Sequence, residues 1–276
     1  MPTNREAYFE ALKLNVPKQV INFALQEVNG FSYLELTQNL DKEILDYQSY
    51  KTAIQRYVDG EMIEYIFNKT YFLSEPFYVD SHVLIPRQET EQLVIETKKL
   101  IEELFGRETV TVADVCAGSG AIGLSLKRLL PNINLCLTDI SKEAIRVCRK
   151  NADDKGFTDV KYLCGNMLEP LIDSSIKVDV LVCNPPYIED ESTIDKRTWN
   201  QEPHLALLAK PNTMYYEEIL KNINQIANDK YLLAFEIGED MEQSLTALIV
   251  KYCPNDEFFF KKDIYGKTRF LFIKHQ

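Results

Sequence analysis

The 276-residue sequence has no apolar run approaching the roughly 18–20 residues that a membrane span requires. Its start, Met1-Pro2-Thr3-Asn4-Arg5-Glu6, sets no apolar stretch behind a basic segment as a secretory signal would, so the expected compartment is the cytoplasm. Cysteine is scattered: Cys116, Cys136, Cys148, Cys164, Cys183 and Cys253 contain no C-x-x-C pair, and several sit in apolar strand-like runs. They read as small buried hydrophobes kept reduced rather than as disulfides or zinc ligands. The three histidines, His82, His204 and His275, lack metal-ligand spacing, so no metal is expected. A basic excess is also missing. Net charge is −11, and residues 1–75 hold 7 Lys/Arg against 11 Asp/Glu. A protein that grips a long stretch of nucleic acid usually needs a basic surface to release counterions, so nucleic acid is a disfavoured partner.

What remains is an ordinary globular composition, 45% hydrophobic and 26% charged, long enough for a catalytic domain with a smaller companion. Over residues 1–70 the apolar spacing is helical. Ile21, Ala24, Leu25 and Val28 recur at i, i+3, i+4, i+7, with Gly30 as a C-terminal stop. Asp41 is the expected cap of a further helix carrying Ile44, Leu45, Tyr47, Ile54, Tyr57 and Val58. No catalytic cluster lies here, so the region reads as a small helical domain for packing or partner recognition. Residues 71–88 are expected to form a β-hairpin linker around the Ser74-Glu75-Pro76 turn.

From 89 to 276 strands and helices alternate. Helices are expected at Glu89–Phe105, Ile122–Leu130, Lys142–Lys155, Tyr215–Ile226 and Asp240–Tyr252. Strands are expected at Val110–Val115, Leu135–Asp139, Val160–Cys164, Val178–Cys183 and Tyr231–Glu236. A closing antiparallel pair, Phe258–Lys262 and Arg269–Ile273, turns at Tyr265-Gly266-Lys267. This alternation predicts an α/β fold with a doubly wound, mainly parallel sheet, whose ligands sit beyond the C-terminal strand ends.

The motifs fall at those ends. Asp114-Val115-Cys116-Ala117-Gly118-Ser119-Gly120-Ala121-Ile122-Gly123 closes the first strand and contains G-x-G-x-x-G over 118–123. Glycine permits a sharp turn and close ligand approach, and the following helix offers free N–H groups and a positive dipole end. Asp139 ends the next strand, 21 residues after Gly118, where a carboxylate can accept hydrogen bonds from ribose hydroxyls. The pair points to a nucleoside-type cofactor without choosing between a nicotinamide dinucleotide and S-adenosylmethionine (SAM).

The choice comes from Asn184-Pro185-Pro186-Tyr187, which ends the fourth strand. Two prolines stop strand pairing because proline has no N–H to donate. An amide or ring-amino nitrogen has a delocalised lone pair and two N–H donors. The Asn184 side-chain oxygen and the Pro185 carbonyl are two acceptors that would fix such a nitrogen and draw it toward a tetrahedral shape. Tyr187 adds an aromatic face for a planar group. Hydride chemistry has no use for such a clamp, whereas methyl transfer to a planar nitrogen does.

This Asn-Pro-Pro-Tyr resembles the signature of SAM-dependent N-methyltransferases acting on planar nitrogens. Val83-Leu84-Ile85-Pro86-Arg87-Gln88-Glu89-Thr90-Glu91 is similar to the V-L-I-P-R-P-E-T-E of one branch, the HemK/PrmC family. Gln201-Glu202-Pro203-His204-Leu205-Ala206-Leu207, Glu236-Ile237-Gly238 and Asp263–Arg269 resemble further segments of that family. The resemblance implies a Rossmann-like class I methyltransferase domain with a small N-terminal helical domain. The implied activity is SAM-dependent N5-methylation of the glutamine in the Gly-Gly-Gln motif of class 1 peptide-chain release factors. It further implies that Cys116, Ala117, Gly118, Ser119, Gly120, Asp139, Met167 and Asn184 hold SAM. Asn184, Pro185, Pro186 and Tyr187 would bind the glutamine, with Asn184, Pro185 and Tyr187 catalytic. Arg87 and Glu89 would shape the pocket mouth, although the residues alone read equally as a charge pair at a helix start. The chain departs from the family pattern at Cys116 (usually glycine), Gln88 (usually proline) and Asn166 (usually acidic). The rival readings are glutamine methylation of a ribosomal protein, N-methylation of an exocyclic amino group in nucleic acid, a non-catalytic binding module and a dehydrogenase. The first shares the clamp and the Ile85-Pro86-Arg87 stretch, but not the Glu89-Thr90-Glu91 that follows that stretch here.

Overall fold

The computed structural model describes residues 1–276, which divide into two compact units, Met1–Lys69 with Lys196–Gln201, and Thr70–Asp195 with Glu202–Gln276. No helix is long and apolar enough to cross a membrane.

The first unit opens with α1 (Asn4–Lys13), α2 (Lys18–Asn29), α3 (Tyr33–Gln38), α4 (Tyr47–Val58) and α5 (Ile63–Ile66). Ala7, Ile21, Leu25, Ile44 and Ile54 form its buried core. Capping boxes start α1 and α3, each pairing a Ser or Thr hydroxyl with a Glu three residues on (Thr3–Glu6, Ser32–Glu35). Gly30 closes α2 in the left-handed region, φ 66°, as expected. The expected cap at Asp41 is corrected: Asp46 caps α4, accepting from the Ser49 N–H at 2.9 Å, while exposed Asp41 pairs with Arg5 at 2.7 Å. Ile44 and Leu45 therefore lie before the helix, and only the tertiary contacts of the 39–45 segment separate them from its pattern.

The second unit begins with β1 (Thr70–Phe72) and β2 (Glu75–Phe77), an antiparallel hairpin turning at Leu73-Ser74, both at positive φ. The expected linker is corrected here too. Phe72 and Phe77 are buried in the unit's main core, so the hairpin is part of this unit's packing. Next come α6 (Gln88–Phe105), β3 (Thr111–Val115), α7 (Ala121–Leu129), β4 (Asn134–Asp139), α8 (Lys142–Asp154), β5 (Lys161–Cys164), α9 (Glu169–Asp173) and β6 (Val178–Cys183). The next helix, α10 (Lys196–Gln201), belongs to the first unit. There Arg197 donates to the carbonyls of Tyr57 (3.0 Å) and Glu61 (2.7 Å), with its guanidinium 3.7 Å from the Tyr57 ring centre. A six-residue helix carries too little periodicity to announce itself, so the sequence reading of 1–70 did not include it. The second unit ends with α11 (Met214–Asn222), β7 (Ala227–Glu236), α12 (Glu242–Tyr252), β8 (Glu257–Lys262) and β9 (Thr268–His275).

The sheet order is β5-β4-β3-β6-β7-β9-β8, parallel except for β9, which runs antiparallel to both neighbours. From β3 the chain winds outward through β4 and β5, then crosses back to β6 on the other side. The crevice beyond β3 and β6 is thus the topological switch point where doubly wound sheets hold ligands. Register makes this concrete. Val115 pairs with Thr138 of β4 and with Cys183 of β6, and Cys183 pairs with Phe235 of β7. The loops starting at Cys116, Asp139 and Asn184, and the strand-end residue Glu236, therefore leave the sheet at one level.

Candidate active site

At that level lies a cavity of about 260 Å³ with mostly apolar walls, near the lower end of pockets that hold small organic ligands (about 300–1,000 Å³). Cys116, Ala117, Gly118, Ser119, Asp139 and Met167 line it on the glycine-loop side. Asn184 and Pro186 line it from the β6 loop, and Arg87 and Thr90 from the segment leading into α6.

The glycine loop has a definite internal structure. Gly118 (φ 56°) and Gly120 (φ 78°) are in the left-handed region that side chains resist. A Cβ at Gly120 would also come within 3.1 Å of Leu124 and 3.3 Å of Leu137, so Gly120 serves the turn and its packing and does not line the cavity. The loop ends as the N-terminus of α7, whose N-cap Gly120 has no side chain to cap it; Asp114 takes the Gly123 N–H of the first turn, and Ala121 and Ile122 line the cavity. Cys116 takes a left-handed conformation as well, φ 61°, consistent with the glycine usual there, and its Sγ lies 3.7 Å from Met167 Sδ.

Two carboxylates hold this loop. Half-buried Asp139 accepts the Gly118 N–H at 2.9 Å and the Ser141 N–H at 2.9 Å, one on each oxygen. A carboxylate has further acceptor capacity, and Asp139 lines the cavity. Burial raises its pKa, opposed by backbone hydrogen bonds from Ser141, Gly118 and Ile140. Asp114 is fully buried behind the loop. One oxygen accepts the Gly123 N–H at 2.8 Å and the other has no partner. Burial first, then the nearby Asp139 charge, push its carboxyl up to about 7 against the pull of the Gly123 N–H. Asn151 completes the support, donating to Ser119 O at 2.9 Å and Tyr78 O at 2.9 Å.

The Asn184–Tyr187 loop divides by depth. Asn184 is half-buried and lines the cavity, Pro186 is buried and lines it, and Pro185 is buried and outside its lining. Tyr187 does not line the cavity. Its ring packs on the β6–β7 core, and its hydroxyl donates to buried Glu236 at 3.3 Å. Burial beside the Glu236 charge raises the phenol pKa. Ile188 then pairs with the 207–209 segment, its N–H on Leu207 O at 3.1 Å, which fixes the loop's exit. Arg87 forms an ion pair with the deeply buried Glu202, whose other oxygen accepts the Ile85 N–H at 3.0 Å. Glu89 stands outside the cavity lining.

Sequence reasoning assigned no role to Asp114, Asn151, Thr90 or Glu202, all of which shape this site. A charged residue inside an apolar strand was the available signal for Asp114, whereas Asn151 sits among charged residues and offered none. Nothing local distinguished Glu202 from a surface glutamate.

Residues 90–201 match the family model described as Methyltransferase small domain. The chain is 31% identical over 270 residues to the release factor glutamine methyltransferase of Mycoplasma mycoides subsp. mycoides SC, covering 95% of this chain and 94% of that one. The Staphylococcus aureus protein of the same name is 34% identical over 226 residues, covering 80% and 79%. Among solved structures, ribosomal protein L11 methylase from Lactobacillus delbrueckii subsp. bulgaricus superposes with a TM-score of 0.50 at 17% identity, over 71% of this chain and 82% of that one, a likeness of fold alone.

Proposed function

The chain belongs to the release factor glutamine methyltransferases, and from that premise we propose that it transfers the methyl group of SAM to the N5 nitrogen of the Gly-Gly-Gln glutamine in class 1 release factors. The observation that carries this is the register Val115–Cys183, which sets the glycine loop and Asn184 against one cavity.

The residues present fit the cofactor. Asp139, which lines the cavity, suits ribose hydroxyls, the start of α7 at Ala121 and Ile122 suits a carboxylate, and Met167 suits a purine face. When bound, SAM supplies a methyl group on a positively charged sulfur. The Asn184 side-chain oxygen and the Pro185 carbonyl accept the two N–H bonds of the glutamine amide, turning its nitrogen lone pair toward that methyl. Pro186, which lines the cavity, bounds the planar group, with Tyr187 packed behind it. Holding the reactants in this alignment removes on the order of several kcal/mol of the barrier without a general base, because the nitrogen becomes acidic once methylated and loses its proton to water. Arg87, held by Glu202, and Glu89 shape the entrance for the release factor. The acidic net charge favours a protein substrate over nucleic acid.

The test is a methyl-transfer assay with labelled SAM, offering release factor, ribosomal protein and nucleic acid in parallel, with the modified atom mapped by mass spectrometry. Label is expected on the Gly-Gly-Gln glutamine. Label confined to another substrate overturns the assignment. Asn184→Ala is expected to cut kcat about 100-fold or more while SAM still binds, by analogy with the loss of a single group aligned on a transition state.

A further inference from the structure

Three stretches of the sequence that resemble the family, Glu89-Thr90-Glu91, Glu236-Ile237-Gly238 and Asp263–Arg269, have no part in binding SAM or in accepting the glutamine's hydrogen bonds. In the fold they meet behind the Asn184–Tyr187 loop. Glu236 ends β7 at the level of Asn184, because Phe235 pairs with Cys183. Its carboxylate is buried, and one oxygen accepts the Thr90 hydroxyl at 2.6 Å while the other accepts the Tyr187 hydroxyl at 3.3 Å. The Glu236 carbonyl takes the Tyr216 hydroxyl at 2.7 Å. Arg269 donates to Ile237 O at 3.3 Å and lies 3.6 Å from Asp263, bringing a positive charge to the carboxylate. At Gly238 a Cβ would crowd Met241 Sδ at 3.1 Å and meet the Tyr187 ring in ordinary contact at 3.5 Å, so the segment packs directly beside that ring.

A buried carboxylate is a costly filler. Where only volume is needed, an apolar side chain of similar size is usually as good or better. Here its two oxygens meet two hydroxyl donors, and each donor belongs to a different wall of the cavity. Thr90 lines the cavity itself, and Tyr187 directly follows Pro186, which lines it too. One group thus ties the entrance segment of α6 to the loop that carries Asn184.

We propose that Glu236 is a positioning residue for methyl transfer, holding the hydroxyls of Tyr187 and Thr90 so that the Asn184–Tyr187 loop keeps its place against the cofactor loop. This rests on the reading of Asn184 as the group that aligns the substrate amide. Glu236 touches neither reactant. Its removal acts through loop position, which should lower kcat while leaving binding of both substrates nearly unchanged. Glu236→Gln places an NH2 donor against at least one hydroxyl that needs an acceptor, and Tyr187→Phe deletes only the hydroxyl.

The experiment measures kcat, KM for release factor and the SAM dissociation constant for Glu236→Gln, Tyr187→Phe, their double variant, Thr90→Val, Thr90→Ser and Asn184→Ala. Thermal melting of each checks folding. Each of the first two is expected to lose about 10- to 100-fold in kcat, since displacement on the order of 1 Å can cost about 100-fold, with both binding constants within about 3-fold. The double variant should lose no more than the worse single one, because both break the same contact. Thr90→Ser should retain the rate that Thr90→Val loses. Multiplying losses in the double variant, or unchanged kcat with only a lower melting temperature, overturn the inference. If Glu236→Gln does not fold, the Tyr187→Phe and Thr90 variants decide in the same way. The Asn184→Ala arm separates the two readings. Full activity there sinks the clamp itself, while its loss beside near-normal Tyr187→Phe and Glu236→Gln sinks only the positioning role.

Discussion

Replacing Gly123 by alanine sets two physical effects against each other with opposite signs. Gly123 is the third residue of α7, and glycine in a helix is disfavoured relative to alanine by about 0.8–1.0 kcal/mol. On propensity alone Gly123→Ala would stabilise the protein. The fold says otherwise, because a Cβ there would stand 2.6 Å from Leu137 Cδ2, 3.0 Å from Asp114 Cβ and 3.0 Å from Asp114 Oδ2. Leu137 is fully buried in the core between α7 and the sheet, and Asp114 is held by the Gly123 N–H itself, so neither yields cheaply. Overpacking of this kind costs about 1–3 kcal/mol. The balance is a net loss of about 1 kcal/mol, which for a unit of this size lowers the melting temperature by about 2–4 °C. Any relief must come from α7 moving off the sheet, and α7 carries the glycine loop that lines the cavity. SAM affinity should therefore fall with stability, and both can be read in one sample by thermal melting with and without SAM. A rise in melting temperature with unchanged SAM affinity would refute the close-packing account of the third glycine.

Asp114 offers a pH test. Burial raises its carboxyl to about 7 from an ordinary 3.8, so the folded chain keeps a proton that the unfolded chain has lost between those values. Its contribution to stability is whole below pH about 4 and is lost as pH rises toward 7. Asp114→Asn keeps an acceptor for Gly123 and cannot titrate. Its stability relative to the parent should improve by about 1–3 kcal/mol between pH 5 and pH 8 in denaturant unfolding, and a constant difference would count against a buried titrating acid. Cys116 tests the cofactor position. It lines the cavity and is partly accessible, whereas Cys164, at the end of β5, is exposed and outside the lining, and the other four cysteines are buried. Saturating SAM should slow alkylation of Cys116 by iodoacetamide without changing that of Cys164. Equal labelling with and without SAM would place the cofactor away from this loop.

Much of the catalytic unit was legible because its signals are local. Alternating strand and helix patterns marked the doubly wound sheet, and the expected strands and helices differ from the observed ones mainly at their ends. The longer start of β7 and the short α9 escaped because they carry little apolar period. At the site, glycines at 118 and 120 and the prolines after Asn184 report backbone requirements that any chain must meet with those residue types. Contacts between distant residues have no such local trace. The burial of the 70–77 hairpin, the return of Lys196–Gln201 to the first unit and the Arg87–Glu202 ion pair all join positions far apart in the chain.

The sequence by itself determined the strand–loop–helix units and the chemistry each loop can offer, because strand period, turn residues and donor or acceptor type are properties of neighbouring residues. Only the tertiary structure decided that Asn184 lines the cavity while the hydroxyl of Tyr187 turns inward to Glu236, and that Asp114 is buried with one oxygen unpartnered. Those facts depend on the register of parallel strands whose partners are tens of residues apart. That register is set by the packing of the whole core around them.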